Sequence, residues 1–326
     1  MNAIVSYFSS LNPMSLLAQL PGNIAQGIIW GIMALGLFIT YKLLDFADLS
    51  VDGSFATGGA VTAVLVIAGV PVWIAVAVSL IAGIIAGLVT GFLHTVLGIP
   101  GILAGILTQI ALYSVNLNIM GKSNIPISYR NYQLVLSASD ITAAIFIGLV
   151  FAVVIIALMY WYFGTEQGSS IRATGSNPAM SRAQGININV TKVIALSISN
   201  GLVALSGSLF SQYQGFADIN MGRGAIVIGL AAVIIGAVIG EAFFKKGMNF
   251  VVRLSFVVVG AILYYIAMGL VLWLKMPTDD TKLFTAVVVA IFLAVPYLQE
   301  RSRNSFKKVA KQNLKKLLTW EDSTDA

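Results

Sequence analysis

The chain has 326 residues, 58% of them hydrophobic and only 10% charged, and a formal net charge of +6. A soluble domain carries about a quarter charged residues, so a chain this poor in charge cannot cover a water-facing surface and reads as an all-α integral membrane protein. Cysteine is absent and His94 is the single histidine, which excludes thiol catalysis, disulfides and a multi-histidine metal centre within one chain; no catalytic, cofactor-binding or metal-binding residue is expected.

Residues 1–19 have no basic leader and no small-residue cleavage site, so no removable signal peptide is expected. Nine apolar blocks follow, at 23–41, 55–70, 72–93, 102–120, 141–163, 193–210, 225–239, 254–274 and 283–297. Most are close to the length that crosses a hydrocarbon core of about 30 Å. The expected architecture is therefore a polytopic bundle of about nine helices, with a range of eight to ten, because the short second and seventh blocks suit re-entrant segments as well as spans.

Between the first two blocks stand Asp45, Asp48 and Asp52. Two readings are open there. Ser50 or Asp52 caps a helix starting near Gly53, where an acidic group suits the positive end of the dipole. Alternatively, a broken helix presents amides and carboxylates to a polar substrate. In the third block Gly83, Gly87 and Gly91 recur every fourth residue, a spacing repeated by Gly101 with Gly105 and Gly236 with Gly240. Lipid supplies no hydrophobic drive between helices, so small residues that let backbones approach hold such a bundle together.

Gln109, Tyr113 and Asn116 share one face of the fourth block, and Ser197, Asn200 and Ser211 lie on or just beyond the sixth. Such groups either line a polar path or tie helices together by hydrogen bonds. No block carries a central Asp, Glu, Lys or Arg of the kind a proton relay or voltage sensor uses. An amide-lined, charge-poor path suits a zwitterionic or neutral polar solute better than a metal ion or polyanion. Gln109, Asn116, Asn118 and Asn200 are the candidate path residues, with Asp48 and Asp52 near the cytoplasmic mouth.

The loop 164–192 contains a short helix with both ends marked: Asn177 is placed to cap it, Pro178 suits its first position and Gly185 is placed to end it. Flanked by Arg172 and Arg182, it forms an exposed knob suited to a cleft on a soluble partner. If this loop is cytoplasmic, Lys42, Arg172, Arg182, Lys192, Lys245, Lys246, Arg253 and the bases of the tail lie inside. Lys122, Arg130, Arg223, Lys275 and Lys282 lie outside, a division of 14 against 5 for the 19 basic residues. The net charge is then a topology signal rather than a nucleic-acid footprint, and it puts the C-terminus in the cytoplasm. The chain divides into a transmembrane domain, 1–300, and a basic tail, 301–326. In the tail Phe306, Val309, Ala310, Leu314, Leu317 and Leu318 recur at helical spacing, so it either lies on anionic lipid or is simply solvated.

The run IRATGSNPAMSRAQGIN, followed by SISNGLVALSGSLFSQ, resembles the permeases of the branched-chain amino acid and simple-sugar class of bacterial ATP-binding-cassette importers. LLDFADLSVDGSFATGGAV resembles that family's lead into its second span, and GRGAIVIGLAAVIIGAVIG its glycine-rich late span. The resemblance implies two permease subunits, here a homodimer, forming a path at their interface in the bacterial cytoplasmic membrane. Arg172, Gly175, Asn177, Pro178, Arg182 and Gly185 would lie in a coupling helix seated on a nucleotide-binding ATPase subunit. An extracytoplasmic binding protein would deliver solute to external loops such as 122–140. ATP and magnesium would sit on the partner, consistent with the absence of any GxxxxGK[ST] loop from this chain. SVDGSFATGGA resembles permeases for amino acids, aromatic ones such as tryptophan and tyrosine included; a simple sugar or nucleoside suits an amide-lined path almost as well. The rivals are a gradient-driven secondary transporter, which predicts intramembrane charges or inverted repeats, and an intramembrane enzyme, which needs a catalytic constellation.

Overall fold

The computed structural model describes residues 13–244 and 248–273, together with 283, 286, 287, 289–291 and 294. The ninth block lies mostly outside the described residues, as do the tail from 301 and Lys245, Lys246, Lys275 and Lys282.

The first span is one long helix, α1 (Pro13–Phe38), that widens into a π-helical turn over Ile39–Leu43. The chain then crosses an irregular stretch in which Asp45 adopts φ +54°, and enters α2 (Val51–Ile67). Next come α3 (Val72–Thr95) and α4 (Gly101–Met120), each preceded by a proline, Pro71 and Pro100, whose extended backbone stands at the N-cap position. After the hairpin strand β1 (Asn124–Pro126) comes α5 (Ile141–Gly164), where the Asp140 side chain accepts from Ala143 N at 3.1 Å. Two short helices, α6 (Glu166–Ser176) and α7 (Pro178–Ala183), lead into α8 (Ile188–Gln214). The strand β2 (Phe216–Asp218) pairs antiparallel with β1, and α9 (Ala225–Phe243) and α10 (Phe250–Trp273) follow. Among the described residues seven helices are long and apolar enough to cross a membrane, and α2, at 17 residues, is a shorter apolar helix.

Buried α8 organises the bundle, packing on α1, α2 and α3. Its hydroxyls tie it to the neighbours: Ser199 Oγ donates to Gly36 O at 2.7 Å, Ser206 Oγ to Ile29 O at 2.7 Å, and Thr62 Oγ1 to Ser208 Oγ at 2.6 Å. Along the α3 seam the predicted glycine stripe is what permits contact. A Cβ at Gly83 would strike Asn200 O, one at Gly87 Leu196 O, and one at Gly91 would come within 3.0 Å of Val193 Cα. Each glycine therefore lets α3 lie directly on the carbonyl ridge of α8, which maximises dispersion contact where the solvent is lipid. A second aromatic layer packs α1 against α2, α8 and α10: the Trp30 ring lies 4.8 Å from Phe55, 5.4 Å from Phe210 and 5.7 Å from Tyr265, centroid to centroid.

Candidate functional site

The 44–50 stretch is held by a buried polar knot. Asp48, 2% exposed, accepts from Ser50 N at 2.9 Å and Ser50 Oγ at 2.6 Å through Oδ1, and from Asn200 Nδ2 at 2.7 Å through Oδ2. Asn200 Oδ1 in turn accepts from Ser54 Oγ at 2.6 Å and Ser50 Oγ at 3.1 Å. A buried carboxylate is tolerable only with such a complete set of donors. The knot replaces the expected capping arrangement: Ser50 stands at the N-cap of α2 but its side chain makes no capping bond, because its hydroxyl is committed to Asp48 and Asn200.

Asp52 does cap a helix, though not its own. Its Oδ2 accepts from Gly224 N at 2.9 Å and its Oδ1 from Ile226 N at 3.0 Å, so one carboxylate closes the N-terminus of α9 from across the bundle. Those amides are among the donors a helix start leaves unpaired, and a negative charge complements the dipole there. The contact requires backbone on backbone: a Cβ at Gly222 would strike Asp52 O and stand 3.3 Å from Phe55 Cβ. The segment 219–224 is thereby pressed against the start of α2. Arg223, which charge counting puts in an external loop, is exposed, and its flanking glycines fix its backbone at the level of Asp52.

A cavity of about 360 Å³ opens at this junction, and its lining includes Asp52, Gln109, Tyr113, Asn116, Asn220 and Arg223. Its depth follows from α4. Gly53 packs on Gln109, where a Cβ would lie 3.1 Å from Gln109 Cα, and Gln109 is eight residues past Gly101 and eleven before Met120. At 1.5 Å per residue these are about 12 Å and about 16 Å, so the Gln109 end of the cavity lies near the middle of the helix, and the lining runs on to Asn116, four residues before Met120. Asn116 is 1% exposed and neither its Nδ2 nor its Oδ1 has a hydrogen-bond partner among the described residues. An orphaned amide costs about 1–3 kcal/mol; beside a cavity it marks where a ligand or water completes the bonding.

Of the six residues expected along a path, the structure brings Gln109, Asn116 and Asp52 around this one cavity. Asp48 and Asn200 lie in the neighbouring knot, where their groups bond to each other and to Ser50 and Ser54. Asn118 is exposed, its Nδ2 donates back to Ser114 O at 3.0 Å, one turn earlier on its own helix, and it does not line the cavity. On α8, Ser197 and Ser211 donate to backbone carbonyls of their own helix, Val193 O at 2.7 Å and Ser208 O at 2.9 Å, so neither hydroxyl proton is offered to a passage. Arg223 and Asn220 escaped the sequence reading. The signal was the run Gly222-Arg223-Gly224, in which glycines flank a charge and mark a close backbone approach.

At the other end of the bundle the short helix α7 has the predicted ends. Asn177 Oδ1 accepts from Met180 N at 3.0 Å, Pro178 stands at the first position, and Gly185 turns the chain out at φ +82°. Arg172, Asn177, Pro178, Arg182 and Gly185 are exposed, and Met180 is 62% exposed at the tip. The preceding helix α6, unforeseen, anchors the knob: a Cβ at Gly175 would strike Leu43 O, so α6 lies on the π-helical turn that leads towards Asp48. On the same side, Lys192 Nζ donates to His94 Nε2 at 3.0 Å, which leaves the Nδ1 proton of His94 to Ile99 O at 2.9 Å and pins the turn after α3 to the start of α8.

The chain is 40% identical over 292 residues to the tyrosine transport system permease protein of Clostridioides difficile, covering 89% of this chain and 96% of that one. It is 26% identical over 241 residues to the ribose import permease protein of Haemophilus influenzae, covering 71% and 70%. In fold it is similar to a chain of PsaBC from Streptococcus pneumoniae in complex with Fab, with TM-score 0.50, 13% identity and coverage of 89% and 94%. Residues 22–296 match the family described as branched-chain amino acid transport system / permease component, and the chain belongs to that family of membrane subunits of ATP-binding-cassette importers.

Proposed function

We propose that this permease subunit carries an amino acid, aromatic ones included, through the cavity between α2, α4 and the 219–224 segment. The observation that carries the reading is the unpartnered, buried amide of Asn116 in one cavity with Asp52 and Gln109. Tyr113 adds an aromatic face to the lining, and the similarity to a tyrosine permease supports the substrate class. A simple sugar remains the second reading, favoured by the similarity to a ribose permease and by amides that bond hydroxyls equally well.

The cavity lies on a face that this chain leaves uncovered. Tyr113 and Ser114 are exposed on α4, and polar groups facing hydrocarbon are costly. A second copy of the permease covers this face, which puts the path at the homodimer interface. ATP hydrolysis resides on a separate nucleotide-binding subunit, which holds ATP and magnesium and takes α7 with Arg172, Gly175 and Arg182 into its cleft. A binding protein docks over the hairpin formed by β1 and β2, and the C-terminal tail from 301 lies in the cytoplasm against membrane lipid.

The test is uptake of labelled L-tyrosine into proteoliposomes containing this chain, its ATPase and its binding protein. Uptake is expected to require MgATP on the ATPase side, and Asn116→Leu is expected to lower it about tenfold, since an apolar side chain leaves the solute's polar groups unpaired. Uptake that persists without ATP, or that is unchanged in Asn116→Leu, contradicts the proposal.

A further inference from the structure

We infer that Arg223 is the specificity-determining cation of the cavity and holds the carboxylate of the transported solute; this rests on the amino-acid reading above and deepens it. The position comes first. Gly224 N donates to Asp52, and Gly222 admits no side chain against Asp52 O, so the backbone on both sides of Arg223 is fixed about midway along α4. The side chain itself is exposed on the face that this chain leaves uncovered; enclosed there by a second subunit, a cation is costly, and such residues serve substrates or ions far more often than they serve packing.

The second observation is the lack of a counter-charge. Asp52 is the acidic group of the lining, and each of its oxygens accepts a backbone amide, of Gly224 and of Ile226, at the start of α9. Among the described residues no hydrogen bond or ion pair joins the Arg223 guanidinium to another side chain. Asp52 is thus engaged at the start of α9, and the Arg223 guanidinium keeps its N–H groups available to a ligand. A guanidinium presents two parallel N–H groups that match a carboxylate in bidentate fashion.

The third observation is independent of Arg223. Asn116, 1% exposed, offers the same cavity an acceptor and a donor, neither of them satisfied. An acceptor such as Asn116 Oδ1 suits an ammonium, and Gln109 adds a second amide. A fixed cation beside unpaired amides complements a zwitterion: carboxylate to Arg223, ammonium to the amide oxygens. A sugar or nucleoside satisfies the amides but leaves the guanidinium unpaired in a largely apolar setting. At about 360 Å³ the cavity is at the small end of ligand sites, the size class of one amino acid.

The experiment measures labelled L-tyrosine taken up per ATP hydrolysed by the reconstituted permease–ATPase complex with its binding protein, in wild type, Arg223→Gln and Arg223→Lys. The ratio is insensitive to how much of each variant folds. Truncating one partner of a desolvated charge pair typically removes 2–5 kcal/mol, so Arg223→Gln is expected to lower uptake per ATP by at least about 30-fold, and Arg223→Lys to recover much of it. Tyrosine uptake per ATP in Arg223→Gln within about threefold of wild type overturns the carboxylate role while leaving the amino-acid reading intact. A wild-type complex that ignores tyrosine and carries an uncharged sugar or nucleoside, equally well in Arg223→Gln, overturns both.

Discussion

Asn200→Leu is expected to destabilise the permease by about 3–5 kcal/mol, because it leaves a buried carboxylate without its partner. Asp48 is 2% exposed and Asn200 0%. The substitution removes the 2.7 Å donor to Asp48 Oδ2 and the shared acceptor of Ser50 and Ser54 at one stroke. Asn200→Asp should be as damaging, since it sets a second carboxylate against the first. Asp48→Asn combined with Asn200→Asp should recover part of the loss, because the exchanged pair again offers one charge and one amide across the same gap. The check is the thermal unfolding midpoint in detergent of the two singles and the double. Additive losses in the double would show that the two side chains do not act as a unit.

Gly87→Leu is the second large effect. The new Cβ would strike Leu196 O and stand 2.7 Å from Ser197 Cα, both backbone atoms of buried α8 that cannot move aside. Overpacking that side chains can absorb costs about 1–3 kcal/mol; here the α3–α8 seam itself must open, and a cost at or above the top of that range is expected. Loss of the monodisperse peak in detergent chromatography reads it out. Gly164 offers a control with no heavy atom within 4 Å of its added Cβ, so Gly164→Ala should stay within about 0.5 kcal/mol of wild type. If both variants behave alike, close approach at Gly87 is not what holds α3 in place.

These two predictions show which parts of the fold could be read from the chain. The glycine stripe at 83, 87 and 91 is local and periodic, so its purpose was legible. So were the ends of α7, because a cap, a proline and a glycine act within one turn. Spans 72–93, 102–120 and 141–163 differ from α3, α4 and α5 by at most two residues at either end. Ends were underestimated where polar residues belong to the helix: 193–210 became Ile188–Gln214, with Asn187 capping the added first turn and Ser211 and Gln212 spending their groups inside the bundle in the added last one.

What escaped is non-local. Capping frequency correctly marked Asp52 as a cap but assigned it to the adjacent helix; its partners lie 172 and 174 residues further on, and nothing in the local spacing encodes that. The same limit hid Arg223, whose depth depends on that contact, and α6, whose glycine contact with Leu43 O crosses from one loop to another. Whether a polar stripe glues or lines was likewise undecidable from periodicity. The structure separates the cases by partner: Asn200 is fully bonded, and Asn116 is not bonded at all.

The central claim is that ATP-driven force reaches this cavity through α7, and co-purification tests it most directly. The chain is co-expressed with its nucleotide-binding ATPase subunit and isolated in detergent, as wild type and with residues 177–185 replaced by a flexible linker. The wild-type chain is expected to retain the ATPase, and the replaced chain to release it while remaining monodisperse. An ATPase that binds both forms equally, or neither, would contradict coupling through this helix.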